Sequence, residues 1–177
     1  MTNPLPTRVT IQMTAVILCC GAVLTVISLA LAQVIGNEAE LDRLRVKAEE
    51  AMANEDPEGA AMNMGRAALM AKVLAKTHQN EASTARLFQG GELLFRAQEH
   101  SYRAMALFRR AGGQLPASSG VCGSLALAQV SLQQAIPLLR HDSSARSPRA
   151  AQAAQFKETA ADWETVIDSI IADYQCH

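Results

Sequence analysis

Residues 149–174 read RAAQAAQFKETAADWETVIDSIIADY, and the spacing of their apolar side chains decides the secondary-structure class. Phe156, Ala160, Trp163, Ile167, Ile170 and Tyr174 succeed one another at alternating steps of four and three. That is the period of one face of an α-helix, whereas a half-buried strand alternates every second residue. The spacing predicts a helix over about 149–174.

The same period recurs upstream. Leu125, Ala128, Leu132, Ala135 and Leu139 predict a helix over 118–139, with Pro137 expected to kink it or end it early. Between these two helices residues 141–148 are polar and read as a loop. Ala60, Met64, Ala67, Ala68, Ala71 and Leu74 predict a helix over 57–77. Pro57 suits its first turn and Asp56 its cap. Gln79-Asn80 reads as a turn, followed by helices at 81–97 and 100–111 that end at Gly112-Gly113 and Pro116. In front, Leu41, Leu44, Ala48 and Ala51 predict a helical stalk over 36–56. No strand alternation follows the N-terminal segment. Composition agrees: hydrophobics reach 49% with only 4% aromatics, so the apolar mass lies mainly in helix formers such as Ala, Leu and Met.

The N-terminus is of another kind. No charged side chain occurs between Arg8 and Glu38, and residues 9–35 carry thirteen Ile, Leu and Val side chains with no polar face. About 20 residues suffice to cross a bilayer core, so the length is enough. Behind a short tail at 1–8, the run is expected to be an uncleaved transmembrane signal anchor. The other reading is a signal peptide cleaved after Ala32, since Ala30-Leu31-Ala32 has the small-x-small pattern of a cleavage site. Basic residues flank both sides and leave orientation nearly neutral. A short tail before a large C-terminal domain places that domain outside. The expected location is thus a cell membrane, crossed once, with an extracytoplasmic (periplasmic) domain. The expected fold is all-α: an N-terminal transmembrane helix, then an antiparallel helical-hairpin soluble domain at 57–177.

Charge and cysteines narrow the function. A net charge of −1 gives no electrostatic footprint for nucleic acid. Of four cysteines, Cys19 and Cys20 lie in the apolar run, where a thiol serves as a small apolar side chain. Cys122 and Cys176 lie beyond it, either as one disulfide or as two thiols; an oxidising compartment would permit the bond.

Residues 85–118 resemble one tetratricopeptide repeat, a helix-turn-helix unit. Phe88 and Phe95 stand where that family has large residues in its first helix. Ala104, Phe108 and Ala111 match the small-large-small series of its second, and Pro116 matches the closing proline. The pattern departs at Gly90-Gly91, which precede Glu92, and at Glu99, which replaces the turn glycine. The resemblance implies a turn near Glu99 and a groove lined by Arg86, Gln89, Leu93 and Arg96, suited to an extended or carboxylate-bearing peptide. A plain antiparallel bundle is the other reading of the same residues.

Other constellations carry little. Cys176-His177 ends like a haem-attachment motif, but Asp173 stands where its first cysteine belongs. Met62 and Met64 point to different faces of one helix and read as core filling. His78, His100 and His141 lack metal-ligand spacing. Arg96, Arg103 and Arg110 fall seven apart, a basic stripe only if one helix carries all three. No phosphate loop, nucleophile elbow or carboxylate pair is legible. The expectation is a non-enzymatic adaptor or assembly subunit with no cofactor and no metal. It would bind another protein at the membrane surface and the bilayer through 9–35. A small-molecule, metal or haem-binding bundle is the alternative.

Overall fold

The punctuation in the sequence places the helices. Asp56 caps a helix by accepting a 2.9 Å hydrogen bond from the Gly59 backbone N–H, and Pro57 occupies that helix's first turn. At the other end of the hairpin that follows, Gly112 and Gly113 take the left-handed conformation that closes a helix, with φ of 74° and 69°. The computed structural model describes residues 38–141 and 149–176. Among these described residues there are five helices: α1 (38–53), α2 (Pro57–Thr77), α3 (Ala82–Arg110), α4 (Ser119–His141) and α5 (Ala150–Asp173). No strand occurs among the described residues. The expected tail at 1–8, the span at 9–35 with Cys19 and Cys20, the loop at 142–148 and His177 lie outside them.

Three features differ from the sequence reading. The segment read as a stalk at 36–56 is, over 38–53, a helix of the bundle itself. Leu41 and Leu44 are 1% and 2% exposed and join the core with Ala48. The reason is that two leucines on one stripe need a partner surface, and the shared core of the bundle supplies it. Secondly, 81–97 and 100–111 are one continuous helix, α3. Glu99 is a good helix former and no glycine or proline follows it until Gly112, so nothing breaks the backbone where the repeat resemblance placed a turn. Thirdly, α4 runs past Pro137 to His141. Pro137 lies on the exposed side near the helix end, where losing one backbone hydrogen bond is least costly.

α3 is the centre. It packs against α2 and α4 along its length and meets α5 through rings. Phe95 stands edge-on to Phe156 at 5.5 Å between centroids, and Tyr102 edge-on to Trp163 at 5.2 Å. Phe108 stacks on Tyr174 at 3.9 Å. From the first pair to the second the step is seven residues on both helices, so α3 and α5 run parallel. Six of the chain's seven Phe, Trp and Tyr residues are used in these pairs. The seventh, Phe88, stacks with His78. Arg45 of α1 reaches over Phe95 and Phe156 at 5.9 and 5.7 Å, tying α1 to the same ladder.

Both ends of the bundle are fastened. At one end Glu38 accepts two hydrogen bonds from Arg149, at 2.9 and 2.7 Å, and Arg149 lies 5.1 Å above the Phe88 ring. Arg149's hydrogen bonds hold the Glu38 carboxyl below the ordinary carboxylate range. At the other end Cys122 and Cys176 are joined by a disulfide, and the Ala117 N–H donates to the Tyr174 carbonyl at 2.9 Å. A small second core sits beneath it, made by Ala104, Val121, Leu125 and Ile170. Among the described residues one helix, Ser119–Arg140, is long and apolar enough to cross a membrane. Its face bearing Leu125, Ala128, Leu132, Ala135 and Leu139 is buried in the bundle.

Candidate functional site

The seam between α2 and α3 is the most featured surface of the bundle. It begins with a space on α2. Gly65 has no Cβ, and one built there would lie 3.1–3.2 Å from the Glu99 carboxyl group. The opening lets Glu99 lie flat between the helices with its side chain 8% exposed. A carboxylate so placed needs donors. Arg96 and Arg103, one turn before and one after on α3, donate to its two oxygens at 2.7 and 2.6 Å. The clamp leaves both arginines at the surface, Arg103 half exposed.

Below this clamp the seam opens into a hollow of about 470 Å³. Ala61, Gly65 and Ala106 form its small-residue floor, Met62 and Leu107 its apolar walls, and Glu58, Arg103 and Arg110 its rim. Arg110 pairs with Glu58 at 3.1 Å across the seam, and Arg109 donates to the Glu55 carbonyl beside it. Above the clamp a second hollow of about 350 Å³ is lined by Lys72, Lys76, Gln89 and Glu92. Lys72 and Glu92 stand 3.8 Å apart across it. Summed along the seam, Lys72, Lys76, Arg96, Arg103 and Arg110 face Glu58, Glu92 and Glu99. The surface therefore carries an excess of two positive charges over an apolar floor.

The four residues expected to line a groove have different fates. Gln89 lines the upper hollow. Arg96 is half of the Glu99 clamp. Leu93 is partly buried and packs against the core. Arg86 is partly buried beside the core residues Ala85 and Leu87. The hairpin read into 85–118 required a turn near Glu99, which would have split the three arginines seven apart. Because α3 is continuous, Arg96, Arg103 and Arg110 form one stripe after all. Gly65, Lys72 and Glu99 were missed. Glu99 had one legible signal, a glutamate three residues after one arginine and four before another. Gly65 had none.

Elsewhere the chemistry is sparse. Among the described residues no three His, Cys, Asp or Glu side chains gather closely enough to hold a metal ion. Cys176 is committed to the disulfide and so is not available for thioether attachment of a haem. His100 is half-buried beside Glu99, and desolvation by burial lowers its pKa. No family model, no curated protein and no solved structure matches this chain.

Proposed function

We propose that the chain is a membrane-tethered adaptor or accessory subunit, carried outside the cytoplasm, that docks an acidic segment of another protein in the α2/α3 seam. The observation that carries the docking is the seam itself: two open hollows, an apolar floor, and five basic groups against three carboxylates. An extended peptide with alternating apolar and acidic side chains would set the former into the hollows and the latter against Arg103, Arg110 and Lys72. The tether is the uncharged run at 9–35, long enough to span a bilayer once. The disulfide supports the side of the membrane, since such bonds persist in oxidising compartments and are rare in cytosol.

Photocrosslinking side chains at Met62 and Gln89, with a control at Glu158 on the exposed side of α5, test the docking in intact membranes. Both seam positions should give the same adduct and the control none. Arg110→Glu, at an exposed position on the rim, should abolish the adduct at Met62 while the fold is kept. Equal yield from the control position would defeat the reading. The N-terminus of the mature chain tests the tether independently, because a start at Gln33 would mean that no anchor remains.

A further inference from the structure

The α2/α3 seam has a register that can be counted. The two helices run antiparallel across it, since Glu58 faces Arg110, Gly65 faces Glu99 and Lys72 faces Glu92. Met62 and Arg103 line the lower hollow, Lys76 and Gln89 the upper one. Both helices therefore give the same interval between the hollows, fourteen residues from Met62 to Lys76 and fourteen from Gln89 to Arg103. At about 1.5 Å per residue the hollows lie about 21 Å apart along the seam.

Charge is not spread evenly along this track. Lys72 and Arg110 each face one carboxylate, at 3.8 and 3.1 Å. Lys76 lies in the last turn of α2, where the carbonyl end of a helix favours a cation. The surplus that remains is at the clamp, where Arg96 and Arg103 share the single carboxylate of Glu99. Glu99 accepts one hydrogen bond from each, and a guanidinium carries further N–H donors beyond that one. Because both bonds end on one buried carboxylate, the two guanidinium groups are held close together at the surface. A second carboxylate placed there completes an unbalanced group, whereas beside Lys72 or Arg110 it adds to a balanced pair.

We infer that the clamp takes one acidic side chain of an extended partner segment, whose apolar side chains six residues apart fill the two hollows. The inference rests on the docking proposed above and adds the spacing that the segment must have. An extended chain rises about 3.4 Å per residue, so about 21 Å corresponds to six residues. Its side chains alternate in direction, and only an even interval turns both toward the seam. From Gln89 to Glu99 is ten residues of α3, about 15 Å, which an extended chain covers in about four residues, again an even step. Read from the upper hollow to the lower, the segment is apolar, three of any kind, acid, one of any kind, apolar. The pairs Lys72–Glu92 and Glu58–Arg110 bridge the seam at both hollows. They leave a narrow track that suits a single strand better than a helix about 10 Å across.

The test uses the full chain in mild detergent and fluorescent synthetic peptides, read by anisotropy. The parent peptide has leucines six apart and a glutamate four from the first, with glycine and serine elsewhere. It is used with its reversed sequence, because the seam sets the spacing and not the direction. For the tighter of the two, moving one leucine by a single position should weaken binding about tenfold, since that side chain then turns to water. Replacing the glutamate by glutamine should also cost about tenfold. Arg103→Lys keeps a charge beside Glu99 but loses the planar fork, and should shrink the preference for glutamate to about twofold. Indifference to the leucine spacing, an undiminished preference in Arg103→Lys, or tighter binding of a helical peptide with leucines fourteen apart would each overturn the inference. So would failure of every peptide to bind. In that case, adducts at Met62 and Gln89 in intact membranes would keep the docking and remove only the spacing, and their absence would remove both.

Discussion

Single residues explain why the helices sit as close as they do. Gly90 and Gly91 lie inside α3, where each costs about 1 kcal/mol of helix propensity relative to alanine. Contact with neighbours accounts for them. A Cβ on Gly91 would lie 2.8 Å from Cε2 of Phe156, and one on Gly90 would lie 2.6 Å from Cδ2 of Leu139. Gly91→Ala should therefore destabilise by up to about 2 kcal/mol, an overpacking cost of about 1–3 kcal/mol less the roughly 1 kcal/mol of propensity regained. Urea denaturation reads this as a lower midpoint at constant m. A raised midpoint would mean that Phe156 moves aside freely. Tyr102 gives a second prediction. Burial, then the nearby Glu49 carboxylate, pushes its phenol up from 10.0 to about 12. The folded chain thus keeps a proton that the unfolded chain releases earlier. The associated stability is complete below the unfolded pKa of 10.0 and is lost as pH rises through about 12. Tyr102→Phe should flatten the decline of stability over that range. A Tyr102 that forms tyrosinate at the ordinary midpoint in the intact fold would contradict the burial.

At the scale of elements, the parallel α3/α5 ladder is the distinctive contact. Its two edge-on pairs repeat after seven residues on each helix, two helical turns, so the same faces stay in register. Phe156 and Phe95 are both 1% exposed, and either truncation to alanine should cost about 3–5 kcal/mol. A double-mutant cycle between them should leave a coupling of about 0.5–1.5 kcal/mol, the part due to ring geometry. Strict additivity would mean that the rings merely fill volume. The stripe in 149–174 announced that Phe156 and Trp163 share a buried face. Which helix they would meet was not legible, because a period gives a face and not a partner. The same limit explains α1, whose stripe was read correctly and assigned to a stalk.

For the whole molecule, the ends matter most. Glu38 and Arg149 fasten the end where residue 38 enters the bundle, and the disulfide fastens the end where the chain leaves it. The bond joins residues 54 apart in sequence with Cα atoms 5.3 Å apart. Closing a loop of that length removes chain entropy from the unfolded state worth about 4 kcal/mol. Cys122→Ser combined with Cys176→Ser should lower stability by about that amount, visible as a lower melting temperature under non-reducing conditions. The loss should be felt first in the small core around Val121, Leu125 and Ile170, seen as faster amide exchange there. An unchanged melting temperature would show that packing of Phe108 on Tyr174 already holds this end.

The sequence by itself determined the helical class, the cap at Asp56, the stop at Gly112-Gly113, and the buried faces of α2, α4 and α5. These depend on period and local backbone chemistry, which act within a few residues. Only the tertiary structure decided that α1 belongs to the bundle and that α3 is unbroken through Glu99. It also decided that Cys122 and Cys176 meet, and that Gly65 makes room for a buried carboxylate on the facing helix. Each of those turns on two segments far apart in the chain coming within a few ångströms. Which segments meet is chosen by the packing of all five helices together, and no stretch of sequence carries that choice alone.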